Sequence, residues 1–89
     1  MSWIDPEDLV DSIALHAGAP RYHASSGFNF SWCEGWAWGH GLTRVVLTHD
    51  DDGNVELLGS ALLGGDILSP TLADADRAGR ALAALRGGL

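Results

Sequence analysis

The apolar residues of this chain change their spacing twice, and this change limits what the chain can fold into. Near the N-terminus, and again from Ala75 to Leu89, they recur every three or four residues, as on one face of an α-helix. Between these segments they alternate with polar residues, as in half-buried β-strands. Because each apolar face must pack on another, we expect an α+β fold in the order α-β-β-β(-β)-α. Short connections predict an antiparallel sheet with both helices packed on one face.

The composition is that of one small globular domain. The chain has 89 residues, of which 46% are hydrophobic and 19% charged, so we expect a single acidic domain over residues 1–89. The N-terminus lacks the basic start and apolar stretch of a secretory signal. The single cysteine, Cys33, cannot form an internal disulfide. These features predict a cytoplasmic protein that has no membrane partner.

The charge of the chain is strongly one-sided. Twelve acidic residues stand against five basic ones, all of them arginine, and the formal net charge is −7. Nucleic-acid binding depends on cations that neutralise phosphates, so we expect no nucleic-acid partner. An acidic surface attracts basic proteins, and the same acidity also keeps a small domain in solution.

Capping residues mark the first helix. Asp5 has the residue type of an N-cap, Pro6 suits the first helical position, and Gly18 suits the C-terminal end. Leu9 and Ile13 lie four residues apart on one face. The sequence therefore predicts a helix over residues 6–17.

The last helix has two possible starts. Ser69-Pro70 can cap it, or Thr71 can form a capping box with Asp74. Gly87-Gly88 is expected to end it. Three small residues in its first half predict a close approach to the sheet: Ala75, Ala78 and Gly79.

The middle of the chain predicts strands. Residues 19–26 are predicted to form a loop, and alternation from Phe28 through Phe30 predicts a strand that reaches Cys33. Glu34-Gly35 predicts a tight turn into a second arm. The alternative is one strand followed by an aromatic loop.

A second hairpin is predicted further on. Leu42 to His49 and Val55 to Leu63 both alternate, and the acidic segment 50–54 between them has turn composition. Within the second of these strands, Gly59 predicts a bulge or bend.

The tryptophans are the main candidates for a partner or ligand surface. Trp32, Trp36 and Trp38 fall close together, and His40 follows them. Indole side chains are enriched at interfaces and in ligand pockets, and they also build cores. We expect Trp32 to lie in the core, whereas for Trp36 and Trp38 a core role and a surface role both stay open. If Trp36 and Trp38 share the sheet face that the helices leave uncovered, they form an interaction surface, and on this basis we expect a homodimer.

The sequence predicts neither a metal site nor a cofactor. His16, His23, His40, His49 and Cys33 are separated by long, irregular gaps, whereas zinc ligands come in closely spaced pairs.

The acidic segment 50–54 does not fit a calcium loop. With its glycine at loop position six, Thr48 and Gly59 would occupy the positions where an EF-hand needs Asp and Glu.

No motif predicts an enzyme. Cys33 with His40 or His49 is the sole nucleophile–base candidate, and Cys33 could equally be buried and inert. The glycines form no phosphate-binding signature. We therefore expect a protein-interaction module that uses a Trp-rich sheet face and an acidic surface to inhibit or neutralise a partner, or to modulate a host. Two alternatives stay open: a small-ligand-binding protein with an aromatic pocket, and a structural homodimeric subunit.

Overall fold

A computed structural model describes residues 4–28 and 31–87 as an α+β fold. One antiparallel sheet has the strand order β1-β2-β3-β4-β5, and the two long helices pack against it. The predicted fold class is therefore confirmed. The elements are α1 (Pro6–Ala17), β1 (Tyr22–Phe28), β2 (Ser31–Trp38), β3 (Val45–Asp50), β4 (Val55–Leu58), α2 (Ser60–Leu63), β5 (Ile67–Leu68) and α3 (Leu72–Gly87), with a 3-10 turn at Gly41–Thr43.

The first strand was not predicted, because its sequence carries no apolar alternation. Residues 22–27 are all exposed, and they were expected to lie in a loop. Backbone pairing with β2 holds them instead, in a register that runs from Tyr22 opposite Ala37 to Phe28 opposite Ser31. An edge strand that no helix covers needs no apolar side chains.

The predicted turn at Glu34-Gly35 is wrong. The second strand runs through both residues, with Gly35 paired to Ala24 on one side and to Thr48 on the other. Phe28 of β1 pairs with Ser31 of β2, and Phe30 lies outside the described residues. The alternation on either side of Gly35 therefore belongs to one strand.

The hairpin of β3 and β4 is confirmed, but its second strand is shorter than predicted. Val46 pairs with Leu58, and the chain then enters α2. Gly59 lies at this change of direction. A Cβ atom there would lie 3.1 Å from Leu63 Cδ1 and 3.2 Å from Val45 Cγ2, so the glycine permits a close approach.

The first helix has the predicted bounds. Asp5 caps it by accepting a hydrogen bond from the Glu7 backbone N–H at 2.9 Å. Within the described residues, no helix has the length and apolarity needed to cross a membrane.

The capping box predicted for the last helix is confirmed. The Thr71 backbone N–H donates to Asp74 Oδ2 at 2.8 Å, and the Asp74 N–H donates to Thr71 Oγ1 at 3.2 Å. Gly88 and Leu89 lie outside the described residues.

The close approach predicted for α3 is made to another helix as well as to the core. Ala75 and Ala78 are buried in the core, and Gly79 faces α1. A Cβ atom on Gly79 would lie 2.7 Å from the carbonyl oxygen of Ile13.

Candidate functional site

Trp36 and Trp38 lie in the core and not on the uncovered sheet face. Their exposed fractions are 5% and 2%, so of the two alternatives the core role is right and the surface role is wrong. Even-numbered residues of β2 face the helices, as do Val45 and Leu47 opposite them on β3. The helix-free face instead presents the odd-numbered residues of β2, including Cys33. Trp32 shares the face of Trp36 but is 36% exposed.

Each core tryptophan also meets a polar group. Trp38 Nε1–H donates to the carbonyl oxygen of Gly18 at 3.0 Å, which satisfies the indole and ties β2 to the end of α1. The Trp36 ring stacks with the imidazoles of His23 and His49, with centroid distances of 5.0 and 5.8 Å. These histidines come from the strands on either side of β2.

The carboxylate of Glu34 joins the same two histidines. His23 Nε2 lies 2.6 Å from Glu34 Oε2, and His49 Nε2 lies 3.1 Å from Oε1. Trp32 packs edge-on against His49 at 4.7 Å. The hydrogen bond from His23 is the main cause that lowers the pKa of Glu34, burial opposes it, and the hydrogen bond from His49 adds to the lowering. We call His23, Glu34 and His49 the histidine bridge.

The histidine bridge does not have the geometry of a metal site. Its imidazoles bind different oxygens of one carboxylate, and the three residues do not place one ligand atom each within 4.8 Å of one another. In the described part of the chain, one set of three side chains brings its possible ligand atoms that close together: Asp50, Asp51 and Asp52.

Those three aspartates form the turn between β3 and β4. Asp50 Oδ1 accepts the backbone N–H groups of Asp52 and Asn54, both at 3.0 Å. Hydrogen bonds led by the Asn54 side chain lower the pKa of Asp50. The turn therefore already uses the Asp50 carboxylate, and the acidic set by itself is no metal site.

The structure does not place Cys33 beside the predicted bases. Glu34 pairs with His49 and Cys33 pairs with Asp50, so Cys33 and His49 point to opposite faces of the sheet. His40 lies beyond the far end of β2, where its imidazole contacts the guanidinium of Arg21. The expected absence of enzymatic activity stays a prediction.

Two grooves lie at opposite ends of the helices. Near the helix starts, a groove of about 410 Å³ has a floor of Ile4, Pro6, Leu9, Val55 and Pro70, and a rim that includes Asp50 and Asp51. Near the helix ends, a groove of about 490 Å³ has a floor of Ala17, Trp38, Leu82 and Leu85, and a rim that includes Arg21 and His40. We call them the acidic groove and the arginine groove.

The acidic groove gathers carboxylates from two separate segments, the start of α1 and the β3–β4 turn. Asp50 and Asp51 line the groove, and the carboxylates next to lining residues in these segments are Asp5, Glu7, Asp8 and Asp52. Among the residues that line the groove, His49 has the one basic side chain, and it already contacts Glu34. The negative potential is therefore concentrated at one end of the molecule.

Comparison with models of known protein families, with curated proteins and with solved structures found no match.

Tertiary structure separates the residues that the sequence grouped together. Trp32 and Trp36 belong with the histidine bridge, whereas Trp38 and His40 belong to the arginine groove. Sequence reasoning missed Glu34, which it assigned to a turn, and Arg21. The two-residue spacing of Glu34 and Trp36 could have revealed that they share a face of the strand. Finding His23 required the register of an edge strand that carries no apolar pattern.

Proposed function

We propose that this chain is a protein-interaction module that binds a basic partner through the acidic groove, and so inhibits or neutralises it. One observation supports this most strongly. Six of the twelve acidic residues lie at the start of α1 and in the β3–β4 turn, beside a single groove with an apolar floor, and two of them, Asp50 and Asp51, line it directly.

The groove suits a partner that presents arginine or lysine beside apolar side chains. The stem of a long basic side chain packs on apolar surface while its head reaches a carboxylate. Ile4 and Val55, which are half-buried, provide that surface, and Asp51 provides an exposed carboxylate at its edge. A concentrated field of one sign also accelerates encounter with a partner of opposite charge.

A charge-neutralising substitution tests the proposal. We would measure by fluorescence anisotropy the binding of a labelled amphipathic peptide with arginine and leucine at helical spacing. Asp51→Asn should weaken binding by about tenfold, and added salt should weaken it further. Asp66→Asn is the matched control, because Asp66 is exposed and does not line the groove.

Two results would contradict the proposal. The first is equal binding of a peptide in which glutamate replaces arginine, since that would show apolar contact without charge recognition. The second is an equal effect of Asp66→Asn and of the groove variant, since that would show a response to net charge alone. The lone thiol Cys33 suits a reducing compartment, so we place this function in the cytoplasm.

A homodimer is a second candidate, and the helix-free sheet face favours it. A shallow depression of about 270 Å³ on this face is lined mainly by small or apolar residues, including Ala24, Gly35, Ala37 and Val46. A surface with few carboxylates is the one through which two chains of net charge −7 can meet with least repulsion.

A further inference from the structure

We propose that the arginine groove binds a small amphipathic carboxylate, with its apolar part against Leu85 and Ala19 and its carboxylate on Arg21. This site is separate from the acidic groove and does not depend on the function proposed above.

The apolar part of the proposed site is already formed. Trp38, Leu82 and Ala17 are buried at the floor, and Leu85 is 40% exposed at the edge. The cavity of about 490 Å³ lies in the range of small-molecule sites, roughly 300–1,000 Å³. Such sites are mostly apolar and have a few polar groups that fix orientation.

The cation at the rim lacks an acidic partner although the chain is rich in carboxylates. Within residues 4–28 and 31–87, Arg80 forms an ion pair with Asp76, whereas Arg21 contacts the imidazole of His40 and no carboxylate. An imidazole nitrogen that accepts from a guanidinium adds no negative charge. Among the described residues, no carboxylate therefore neutralises Arg21 at the mouth of this apolar groove.

The charge distribution selects the sign of the ligand. The acidic segments lie around the other groove, and a further arginine, Arg44, lies with Arg21 and His40 at this end. An anion that approaches here meets cations and few carboxylates. A guanidinium binds a carboxylate through two parallel N–H···O bonds, which gives the ligand a fixed orientation.

Octanoate is a suitable probe, because it combines one carboxylate with one apolar chain. We expect saturable binding in isothermal titration calorimetry, and much weaker binding of octan-1-ol, which lacks the charge, and of acetate, which lacks the chain. In amide NMR spectra the shifts should be concentrated at Ala19, Arg21, Gly39 and Thr43.

Arg21→Gln should weaken octanoate binding by about tenfold, because it removes a charge-assisted contact. Arg77→Gln is the matched control: Arg77 is exposed, lies outside the groove and forms no ion pair among the described residues. Both variants change only exposed side chains, and thermal melts would verify that each is folded.

Three results would overturn the proposal. They are the absence of saturable octanoate binding, an equal loss of affinity in Arg21→Gln and Arg77→Gln, and NMR shifts centred on the acidic groove or on the helix-free sheet face. If octan-1-ol bound as tightly as octanoate, the groove would be an apolar site without anion recognition, and the proposal would also fail.

Discussion

Single residues set the distances on which the packing depends. Gly79 brings α3 against the backbone of α1, and Glu34 connects three strands through its contacts with His23 and His49. The first role depends on the absence of a side chain, and the second depends on a charge. Each can be tested by one conservative substitution.

Gly79→Ala should destabilise the protein. Alanine favours a helix by about 1 kcal/mol over glycine, but its Cβ atom would lie 2.7 Å from the Ile13 carbonyl oxygen and 3.1 Å from its Cα. The backbone of α1 or of α3 must move to relieve this contact. We therefore expect a net loss of about 1–2 kcal/mol in the free energy of unfolding, measured by urea denaturation.

Gly35→Ala is the control for that substitution. Its new Cβ atom would meet Leu47 O at 3.5 Å and Thr48 Cγ2 at 3.6 Å, which are ordinary contacts. We expect no loss of stability there. An equal loss at both positions would mean that the space beside Gly79 does not set the distance between the helices.

Glu34→Gln should lower stability at neutral pH and have less effect in acid. The pKa of Glu34 is lowered in the folded chain from its ordinary value of 4.5. The Glu34 carboxylate therefore stabilises the fold above pH 4.5, and this stabilisation is lost as the pH falls through the lowered pKa. We expect a difference of about 1 kcal/mol at pH 7, measured by denaturation at several pH values.

Glu56→Gln provides the comparison for this pH dependence. Glu56 lies on the helix-free face of β4, away from the histidine bridge. Its substitution should leave the pH profile close to that of the wild type. A constant deficit in Glu34→Gln at every pH would show that the effect comes from packing and not from the carboxylate charge.

Local signals fixed the ends of the long helices, whereas strand boundaries depended on pairing. Asp5 and the Thr71–Asp74 box act through neighbouring backbone, so they function wherever the helix lies. The edge strand β1 needs a partner strand to exist. Helix ends were therefore predictable, and this strand was not.

Thr71→Ala should destabilise α3. It removes the hydroxyl that accepts the Asp74 N–H and donates to Asp74 Oδ2 at 3.0 Å. We expect a loss of about 1 kcal/mol in chemical denaturation, and Thr71→Ser should retain most of the stability because it keeps the hydroxyl. An equal loss in both variants would exclude the capping role.

The molecule as a whole is polarised: Asp50 and Asp51 line one groove, Arg21 lines the other, and the helix-free sheet face carries mainly small and apolar residues. We therefore propose a different kind of contact for each surface. The acidic end is proposed to bind a basic partner, and the sheet face to bind a second copy of the chain.

The homodimer can be tested by light scattering. At a protein concentration on the order of tens of micromolar, we expect a particle mass twice the chain mass of 9.4 kDa. Ala24→Glu should give monomers, because it places a charge on the helix-free face. Ala84→Glu, at an exposed position of α3 outside this face, should not. A wild-type monomer would end the dimer hypothesis.

The sequence by itself determined the two long helices, the β3–β4 hairpin and the fold class, because caps, turns and hydrophobic spacing act over a few residues. The sequence could not determine which sheet face the helices cover. It therefore left open whether Trp36 and Trp38 form a surface or a core.

Tertiary structure decided the rest, because the candidate sites join residues that are distant in sequence. The register of three strands brings His23, Glu34 and His49 together. Packing of the helices on the even-numbered face of β2 buries Trp36 and Trp38 and leaves a groove at each end. Charges that are dispersed along the chain become one acidic end because both helices begin beside the same turn.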